Sequence, residues 1–229
     1  MPRANPRPDL RAIATYGIPE AAHYLGVSEE TLRSWVLGRK YPTARGIKTT
    51  KPIIIPADAR KELLSFYNLV ESHVLLFARQ VHGLQLQDVR NGIEYVRDHM
   101  KVERPLINQV FWTNGKHLFV KNLEQVINAS KMGQLGISVI LDLYLQRIDW
   151  DAEGIAKRLY PVRATSHEQR RIVIDPSISF GRPIVAGTGI PASVLFHRKR
   201  LGESEEAISK DYGIDKLAVE EAISYYKAA

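Results

Sequence analysis

Apolar residues recur at steps of three and four positions along most of the chain, and they alternate with polar residues in only a few short runs. The two clearest series follow a four-three-four spacing and consist of Val70, Val74, Phe77 and Val81, and of Val89, Ile93, Val96 and Met100. Such spacing places the apolar side chains on one face of a helix. The pattern therefore predicts a mainly α fold with small β-elements.

The first predicted unit covers residues 16–60 and follows residues 1–15, which show little periodicity and are predicted to form a flexible arm. The apolar residues that mark its first helix are Ile18, Ala22 and Leu25. Ser28 is placed to cap a second helix that continues to Trp35. A tight turn at Gly26 between two short helices is typical of a helix-turn-helix.

The rest of this unit is marked by turn-forming residues rather than by helical periodicity. A polar segment with proline and glycine extends over residues 39–52 and leads into the β-prone run 53–55. Pro56 and Asp58 are then expected to open a new helix. Two helices, a short strand pair and a further helix predict a winged helix-turn-helix for residues 16–60.

Residues 61–164 form a predicted helical middle domain with one β-hairpin. The hairpin is expected over residues 110–120, because alternating apolar residues flank the dipeptide Asn114-Gly115, which tolerates the positive φ angles of a tight turn. Another helix is predicted from Ile137 to Arg147. Residues 149–166 show poor periodicity and are interpreted as a connection.

Residues 165–229 form the predicted C-terminal domain, in which a small β-element precedes a second helix-turn-helix outline. Short strands are expected over 171–174 and 180–185, followed by a helix that ends at Gly202. Ser204 and Asp215 are placed to cap the last two helices.

Charge changes this picture because it is unevenly distributed. The chain has 229 residues and a formal net charge of +7, and residues 1–60 contain ten of its 32 Lys and Arg residues but only five of its 25 Asp and Glu residues. A positive excess confined to one small unit suggests a surface that binds a polyanion. The absence of cysteine suits a reducing compartment, and the absence of a long apolar run argues against a membrane span, so we expect a cytoplasmic protein.

Candidate catalytic chemistry is weak. The seven histidines form neither a His-x₃-His nor a His-Glu-x-x-His pattern, and Gly187-Thr-Gly189 lacks the lysine and the longer spacing of a phosphate-binding loop. No pair of carboxylates and no activated nucleophile is indicated by spacing. We therefore expect a protein that is not an enzyme and that has no cofactor and no metal site.

Residues 16–60 resemble the MerR-like winged-helix DNA-binding family, particularly in Val27-Ser28 and Thr31-Leu32-Arg33. The resemblance implies DNA contacts from the second helix and from basic residues in the wing. Transferred to this chain, the candidate DNA-binding residues are Ser28, Thr31, Arg33, Ser34, Arg39, Lys40, Arg45, Lys48 and Lys51. The chain departs from the family pattern after Trp35, where Val-Leu-Gly-Arg-Lys-Tyr-Pro replaces the usual aromatic pair and arginine-rich wing.

Residues 172–226 resemble the bacterial family known as domain of unknown function 433, which includes VapB-type antitoxins. Four clusters carry this resemblance, namely Ile174-Asp-Pro176, Gly181-Arg-Pro-Ile184, Gly187-Thr-Gly-Ile-Pro191 and Gly202-Glu-Ser-Glu-Glu-Ala-Ile208. The chain has Gly189 where the family usually has arginine. The order of a MerR-like head, a helical middle and this tail is also similar to the longer VapB-type antitoxins, which implies a PIN-like ribonuclease toxin as partner.

Two hypotheses about function remain open. In the first, the protein is an antitoxin that dimerises, binds operator DNA to repress its own operon, and neutralises the toxin either by occupying its acidic active cleft or by fixing it in an inactive arrangement. In the second, it is a MerR-like transcriptional regulator whose middle domain senses a small molecule. The second hypothesis predicts an enclosed pocket lined by residues such as Phe77, Phe111, Trp112 and Phe119.

Overall fold

The structure, a computed structural model, describes residues 8–43, 46–79, 85–116, 119–120, 123, 131–161 and 170–227. Its helices are α1 (Ile18–Leu25), α2 (Glu29–Val36), α3 (Phe66–Leu75), α4 (Leu86–Met100), α5 (Lys131–Leu145), α6 (Ala192–Arg200), α7 (Glu205–Tyr212) and α8 (Lys216–Lys227). Its strands form antiparallel pairs, β1 (Tyr16–Gly17) with β4 (Leu63–Leu64), β2 (Lys40–Thr43) with β3 (Gly46–Thr49), β5 (Ile148–Trp150) with β6 (Ala156–Leu159), and β7 (Ile172–Val173) with β8 (Ile184–Val185). The predicted fold class, mainly α with small β-elements, is confirmed.

The two predicted N-terminal helices are present, and the strand pair that follows them is the hairpin β2–β3. Ser28 caps α2 as predicted, since its side chain accepts a hydrogen bond from the Thr31 amide. Gly38 connects α2 to the hairpin with a φ of +79°, and a Cβ at this position would lie 2.0 Å from the Thr50 carbonyl oxygen. Only glycine fits this close approach at the base of the hairpin.

Residues 53–65 differ from the prediction. The run 53–55 is not a strand, because the amides of Ile53 and Ile54 both donate to the Trp35 carbonyl at the end of α2, at 2.8 and 3.1 Å. The next helix does not open at Pro56 or Asp58. Asp58 instead accepts the amides of two following residues in a turn, and α3 begins at Phe66 after a capping box formed by Ser65 and Asn68.

Asn68 fastens this segment to α3 and is itself almost fully buried. Its Oδ1 accepts the amides of Ala57 and Ser65, each at 3.0 Å, and its Nδ2 donates to the Ile55 carbonyl at 2.8 Å and to Glu71 at 3.0 Å. One side chain therefore satisfies main-chain groups on both sides of the turn. It fixes the path by which the chain passes from the hairpin to the middle of the protein.

The predicted hairpin over residues 110–120 is wrong, because the described residues from 109 to 123 are helical, with a π-helical stretch at Phe111–Gly115. Phe111, Trp112 and Phe119 are buried and meet edge to face or tilted, with ring centroids 4.5 to 6.1 Å apart. In a strand, adjacent Phe111 and Trp112 would point to opposite faces. Burying all three rings in one core outweighs the local turn preference of Asn114-Gly115.

The segment interpreted as a connection, 149–166, begins with another strand pair. Strands β5 and β6 pair with Ile148 opposite Leu159 and with an irregularity after Asp149. The prediction missed them because each strand has only three or four residues, too few to show a period. Leu159 also forms a bridge with Ile174 and so links the middle of the chain to the tail. Residues 162–166 lie outside the described residues.

The C-terminal elements largely follow the prediction. Strand β7 lies within the expected range, β8 occupies only the end of the second expected strand, and α6, α7 and α8 are all present. Ser204 caps α7, and Asp215 accepts the Leu217 amide at the start of α8. Buried apolar residues form two clusters among the described residues, one drawn from positions 16–174 and one from 172–225. The bounds of the four predicted regions stay a prediction.

Two long-range hydrogen bonds join the tail to the first unit. The buried Tyr225 hydroxyl of α8 donates to the Tyr24 carbonyl of α1 at 2.6 Å, and the Tyr16 hydroxyl donates to the Gly181 carbonyl at 3.0 Å. Gly181 has a φ of +72°, and a Cβ there would lie 2.0 Å from the Tyr16 hydroxyl. The tail therefore packs directly against the unit that contains the candidate DNA-binding residues.

Residues 8–15, which belong to the predicted flexible arm, lie against the middle of the protein. Asp9 accepts the Tyr67 hydroxyl at 2.6 Å, and Arg11 forms an ion pair with Asp151. The guanidinium groups of Arg11 and Arg104 both lie over the Tyr67 ring, 5.4 and 5.0 Å from its centroid. Residues 1–7 lie outside the described residues.

A buried histidine on α3 makes stability depend on pH. His73 is fully buried with Nε2 3.1 Å from the Tyr144 carbonyl oxygen, and this burial lowers its pKa to about 4. The same residue in an unfolded chain has a pKa of about 6.5. Between these values the unfolded state binds the additional proton, so the free energy of unfolding should fall by about 3 kcal/mol as pH decreases from 6.5 to 4.

Urea denaturation at pH 7, 6, 5 and 4 measures this dependence. In a His73→Gln variant, the part of the pH slope due to His73 should disappear, whatever the change in overall stability. His197→Gln, at an exposed position on α6, serves as the matched control and should keep the wild-type slope. Equal slopes in wild type and His73→Gln would contradict the prediction.

Candidate nucleic-acid interface

Helices α1 and α2 pack through one apolar face each. The buried residues on these faces are Ala21, Ala22 and Leu25 on α1, and Leu32, Trp35 and Val36 on α2. Because these positions face inward, Thr31 and Arg33 of α2 and its capping residue Ser28 are left toward the surface. A second helix held in this way has the dimensions to enter a major groove about 12 Å wide.

Two buried tyrosines, Tyr16 just before α1 and Tyr24 within it, have hydrogen-bonded hydroxyls. The Tyr24 hydroxyl donates to the Glu20 carboxylate one turn earlier at 2.7 Å. Burial, followed by this hydrogen bond, raises the pKa of Tyr24, and burial also raises the pKa of Tyr16. A tyrosine hydroxyl with its ordinary pKa of about 10 is already neutral at physiological pH. These two hydroxyls therefore add no negative charge next to α2.

Arg33 lies on the outer side of α2 and is partly engaged within the protein. Its side chain is 44% exposed, and its Nη1 lies 2.7 Å from Oε2 of Glu62, whose side chain is equally exposed. Glu62 belongs to the turn before β4 and has a φ of 54°. An exposed pair of this kind stabilises a protein by about 1 kcal/mol or less, so a phosphate group can compete for the arginine.

The other three candidates on α2 differ in how free their side chains are. Ser28 is exposed, and its hydroxyl lies 2.9 Å from the Thr31 hydroxyl. Ser34 donates to the Thr31 carbonyl of its own helix at 2.7 Å. The hydroxyl donors of this helix thus have local partners, and Arg33 is its basic residue.

The hairpin β2–β3 brings basic residues from two stretches of sequence to one place. Arg39 is exposed just before β2, and Lys51 is exposed just after β3. Lys40 is opposite Thr49, and Lys48 is opposite Tyr41, in the register of the pair; the side chains of Lys40 and Lys48 are not among those described. Arg45 lies outside the described residues.

Acidic residues constrain how this surface could meet a polyanion. Glu29 and Glu30 are exposed in the first turn of α2, where they complement the positive end of the helix. The same carboxylates repel phosphate groups. The electrostatics therefore favour an approach through Arg33 and the hairpin over an approach through the N-terminal end of α2.

Three further residues belong to this surface and were missed by the sequence analysis. Glu62 is missed because its partner lies 29 residues away and no local pattern links them. Arg60 and Lys61 are exposed in the same turn. Arg60 was counted in the basic excess of residues 1–60, and Lys61 follows it directly. That excess was the sequence signal that could have pointed to these two residues.

The aromatic residues predicted to line an effector pocket fill the core instead. Phe77 and Phe119 meet edge to face with ring centroids 6.0 Å apart, and Phe111 and Trp112 pack beside them. A cavity of about 350 Å³ lies elsewhere, between the segment that follows the hairpin, α3 and the residues after α4. Ile53, Ile55 and Asn68 are among the residues that line it.

No helix among the described residues is long and apolar enough to cross a membrane. Within the same part of the chain, no three His, Cys, Asp or Glu residues are grouped so that they could hold a metal ion. The candidate chemistry of the described surface is therefore that of hydrogen-bond donors and positive charge on α2, the hairpin and the turn that contains Glu62.

Comparison with known proteins identifies the tail and relates the whole chain to one protein. A family model described as "Protein of unknown function (DUF433)" matches residues 172–226. A protein of Mycobacterium tuberculosis named "Putative antitoxin VapB45" is 24% identical over 92% of this chain and 93% of its own length. The crystal structure of Rv2018 from Mycobacterium tuberculosis has the same fold, with a TM-score of 0.70 and 21% identity over 92% of this chain and 98% of that one. The resemblance expected from the sequence is thus confirmed: the tail of this chain matches the DUF433 family model, and the chain is similar over nearly its whole length to a protein named as a VapB antitoxin.

Proposed function

We propose that this protein is a cytoplasmic antitoxin that binds and neutralises a PIN-like ribonuclease toxin and represses its own operon by binding operator DNA. It acts by binding and not by catalysis. The observation that carries the proposal is the relationship to the mycobacterial antitoxin, which extends over more than nine-tenths of both chains. A match confined to the DUF433 domain would have said nothing about the remaining three-quarters of the chain.

The DNA-binding half of the proposal is supported by the geometry of the N-terminal unit. Residues 16–60 contain two short helices at a tight turn and a hairpin rich in basic residues, which is the order of a winged helix-turn-helix. Arg33, Arg39, Lys40, Lys48 and Lys51 would contact phosphates, and Arg33 with its neighbours on α2 would enter the groove. A homodimer follows because paired units of this type bind half-sites one helical turn apart.

In the toxin-binding half of the proposal, the middle and C-terminal regions of the chain contact the toxin. The tail carries no net charge, which suits a protein partner better than nucleic acid. A stable complex of ordinary size would bury about 1,600 Å² in total.

Co-expression with the protein encoded by the adjacent open reading frame tests the toxin-binding half directly. The two proteins should co-purify as a stoichiometric complex, and the complex should cleave RNA much more slowly than the isolated partner. A chain truncated before residue 170 is not a suitable control, because it would lack Tyr225 and so expose Tyr24. The control is instead the tagged full-length chain expressed without the partner. Failure of the full chain to bind this partner would contradict the proposal.

The second candidate function is that of a regulator that senses a small molecule. It is favoured by the cavity that lies between α3 and the segment after the hairpin β2–β3. Its volume of about 350 Å³ is at the lower end of the range for ligand pockets. Ile53 lines it and also bonds to Trp35 of α2, so an occupant would lie next to the candidate DNA-binding unit. A metabolite that changes DNA affinity without any toxin would distinguish this function from the first.

A further inference from the structure

Phe180 has the most exposed large apolar side chain among the described residues, at 87% of its full accessible area. It lies in the DUF433 domain, in the short 3-10 turn Ser179–Gly181 that precedes β8. A single exposed apolar residue is ordinary on a protein surface. The backbone around Phe180, however, has unusual dihedral angles.

Three successive residues of this turn have left-handed backbone angles. The φ values are 48° for Ser179, 56° for Phe180 and 72° for Gly181. Glycine adopts such angles freely, whereas residues with a Cβ rarely do so, and bulky aromatic residues are among the least suited. The strain at Phe180 is not offset by burial of its ring, and strained residues of this kind cluster at functional sites.

The turn is nevertheless held firmly in this conformation. The Gly181 amide donates to the Ile178 carbonyl at 2.9 Å, and the Arg182 amide donates to the Ser179 carbonyl at 3.1 Å. From outside the turn, the Tyr16 hydroxyl donates to the Gly181 carbonyl, and the Ser179 hydroxyl donates to the Gly189 carbonyl at 3.2 Å. The ring is therefore presented to solvent by a preorganised support.

The basic side chain next to Phe180 has no partner in the part of the chain that the structure describes. Several basic side chains of this domain form ion pairs with its own carboxylates, namely Arg171 with Asp215, Arg198 with Glu203 and Lys216 with Glu206. Arg182, two residues after Phe180, is exposed and makes no side-chain hydrogen bond or ion pair to any described residue. A free positive charge beside an exposed ring is complementary to an acidic surface that contains an apolar pocket.

We propose that Phe180 is a preformed anchor for the toxin, inserting its ring into an apolar pocket whose rim carries carboxylates that meet Arg182. Aromatic residues that enter a desolvated pocket dominate the affinity of many interfaces. Because the turn is already in its binding conformation, little ordering is needed when the complex forms. The identity of the partner rests on the proposed function. The choice of this surface rests on the exposed Phe180 ring, the left-handed backbone of its turn and the positive charge of Arg182.

The test measures the affinity of the full chain for the protein encoded by the adjacent open reading frame, by calorimetry with purified partners. Phe180→Gly should weaken binding at least 30-fold while the thermal unfolding midpoint is maintained or raised, because glycine relieves the left-handed strain. Phe180→Tyr should bind within a few-fold of wild type. Arg182→Glu should weaken binding about tenfold, with a smaller effect at high salt.

Leu201→Ala is the matched control, because Leu201 is 83% exposed in the same domain but follows a right-handed helix. It should bind like wild type. If Phe180→Gly also binds like wild type, this proposal is overturned while the proposed function stands. If the wild-type chain does not bind the partner, both are overturned. If Phe180→Gly disrupts only a homodimer seen by light scattering, the ring serves a second copy of this chain and the proposal is again overturned.

Discussion

Raising the salt concentration from 50 to 200 mM should weaken the binding of this protein to the DNA upstream of its gene by about 10³-fold. This expectation follows from the release of counterions by about six phosphate contacts in the proposed dimer. Three contacts per protomer can be supplied by Arg33, Arg39 and the basic residues of the hairpin β2–β3. Fluorescence anisotropy with a labelled promoter fragment, across a series of salt concentrations, gives both the affinity and its slope.

Substitutions on either side of one ion pair sharpen this experiment. Arg33→Ala should lower DNA affinity about tenfold and reduce the salt slope, because each protomer loses one phosphate contact. Glu62→Gln should raise DNA affinity several-fold, since it removes the carboxylate that holds Arg33 in the free protein. Both changes lie at side chains that are equally exposed, so neither should alter folding stability by more than about 1 kcal/mol.

Lys157→Ala, at an exposed position on β6, provides the control and removes the same charge away from the candidate interface. It should leave DNA affinity nearly unchanged. An affinity that does not depend on salt, or that falls equally for Lys157→Ala and Arg33→Ala, would contradict the assignment of DNA binding to this surface.

Replacing Asn68 with alanine should lower the free energy of unfolding by about 4 kcal/mol, a large part of the 5–15 kcal/mol typical of a whole protein. The substitution would leave the amides of Ala57 and Ser65 and the carbonyl of Ile55 without their buried partner. A buried group of this kind costs about 1–3 kcal/mol when it is not paired, as for the Ser65 amide, and the part-buried groups of Ala57 and Ile55 add smaller costs. Denaturation in urea, monitored by tryptophan fluorescence, measures the loss.

Asn91→Ala is the corresponding control on α4. Asn91 is exposed and accepts one hydrogen bond from Gln87 on the same helix, so its loss should cost no more than about 0.5 kcal/mol. A similar small cost for Asn68→Ala would mean that the segment between the hairpin and α3 is held by apolar packing rather than by the hydrogen bonds of Asn68.

The parts of the fold that could be predicted from sequence are those in which local signals agree. Ser28, Ser204 and Asp215 each precede a helix whose apolar period begins at once, and all three helices start where these residues indicate. The prediction of a hairpin around Asn114-Gly115 failed because the turn preference of two residues competed with the burial of three aromatic rings. Which rings share a core is a property of the tertiary structure, and spacing alone does not reveal it.

The candidate site was predictable in its location but not in its electrostatic detail. The basic excess and the helix spacing pointed to the surface that contains Arg33. The ion pair with Glu62 depends on a turn whose bounds the sequence placed incorrectly, since Asp58 was interpreted as the start of a helix. Phe180 was assigned to a strand, and nothing in its neighbours indicated a left-handed backbone.

The contact between Tyr225 and Tyr24 spans 201 positions of the chain. During translation, α1 leaves the ribosome long before α8 is made. The Tyr24 carbonyl therefore has no tyrosine donor until residue 225 has been synthesised. Contacts this far apart in sequence form late, and exposed surfaces are open to proteases and chaperones in the meantime. A nascent chain that stops early would therefore leave its first helix uncovered and be open to degradation.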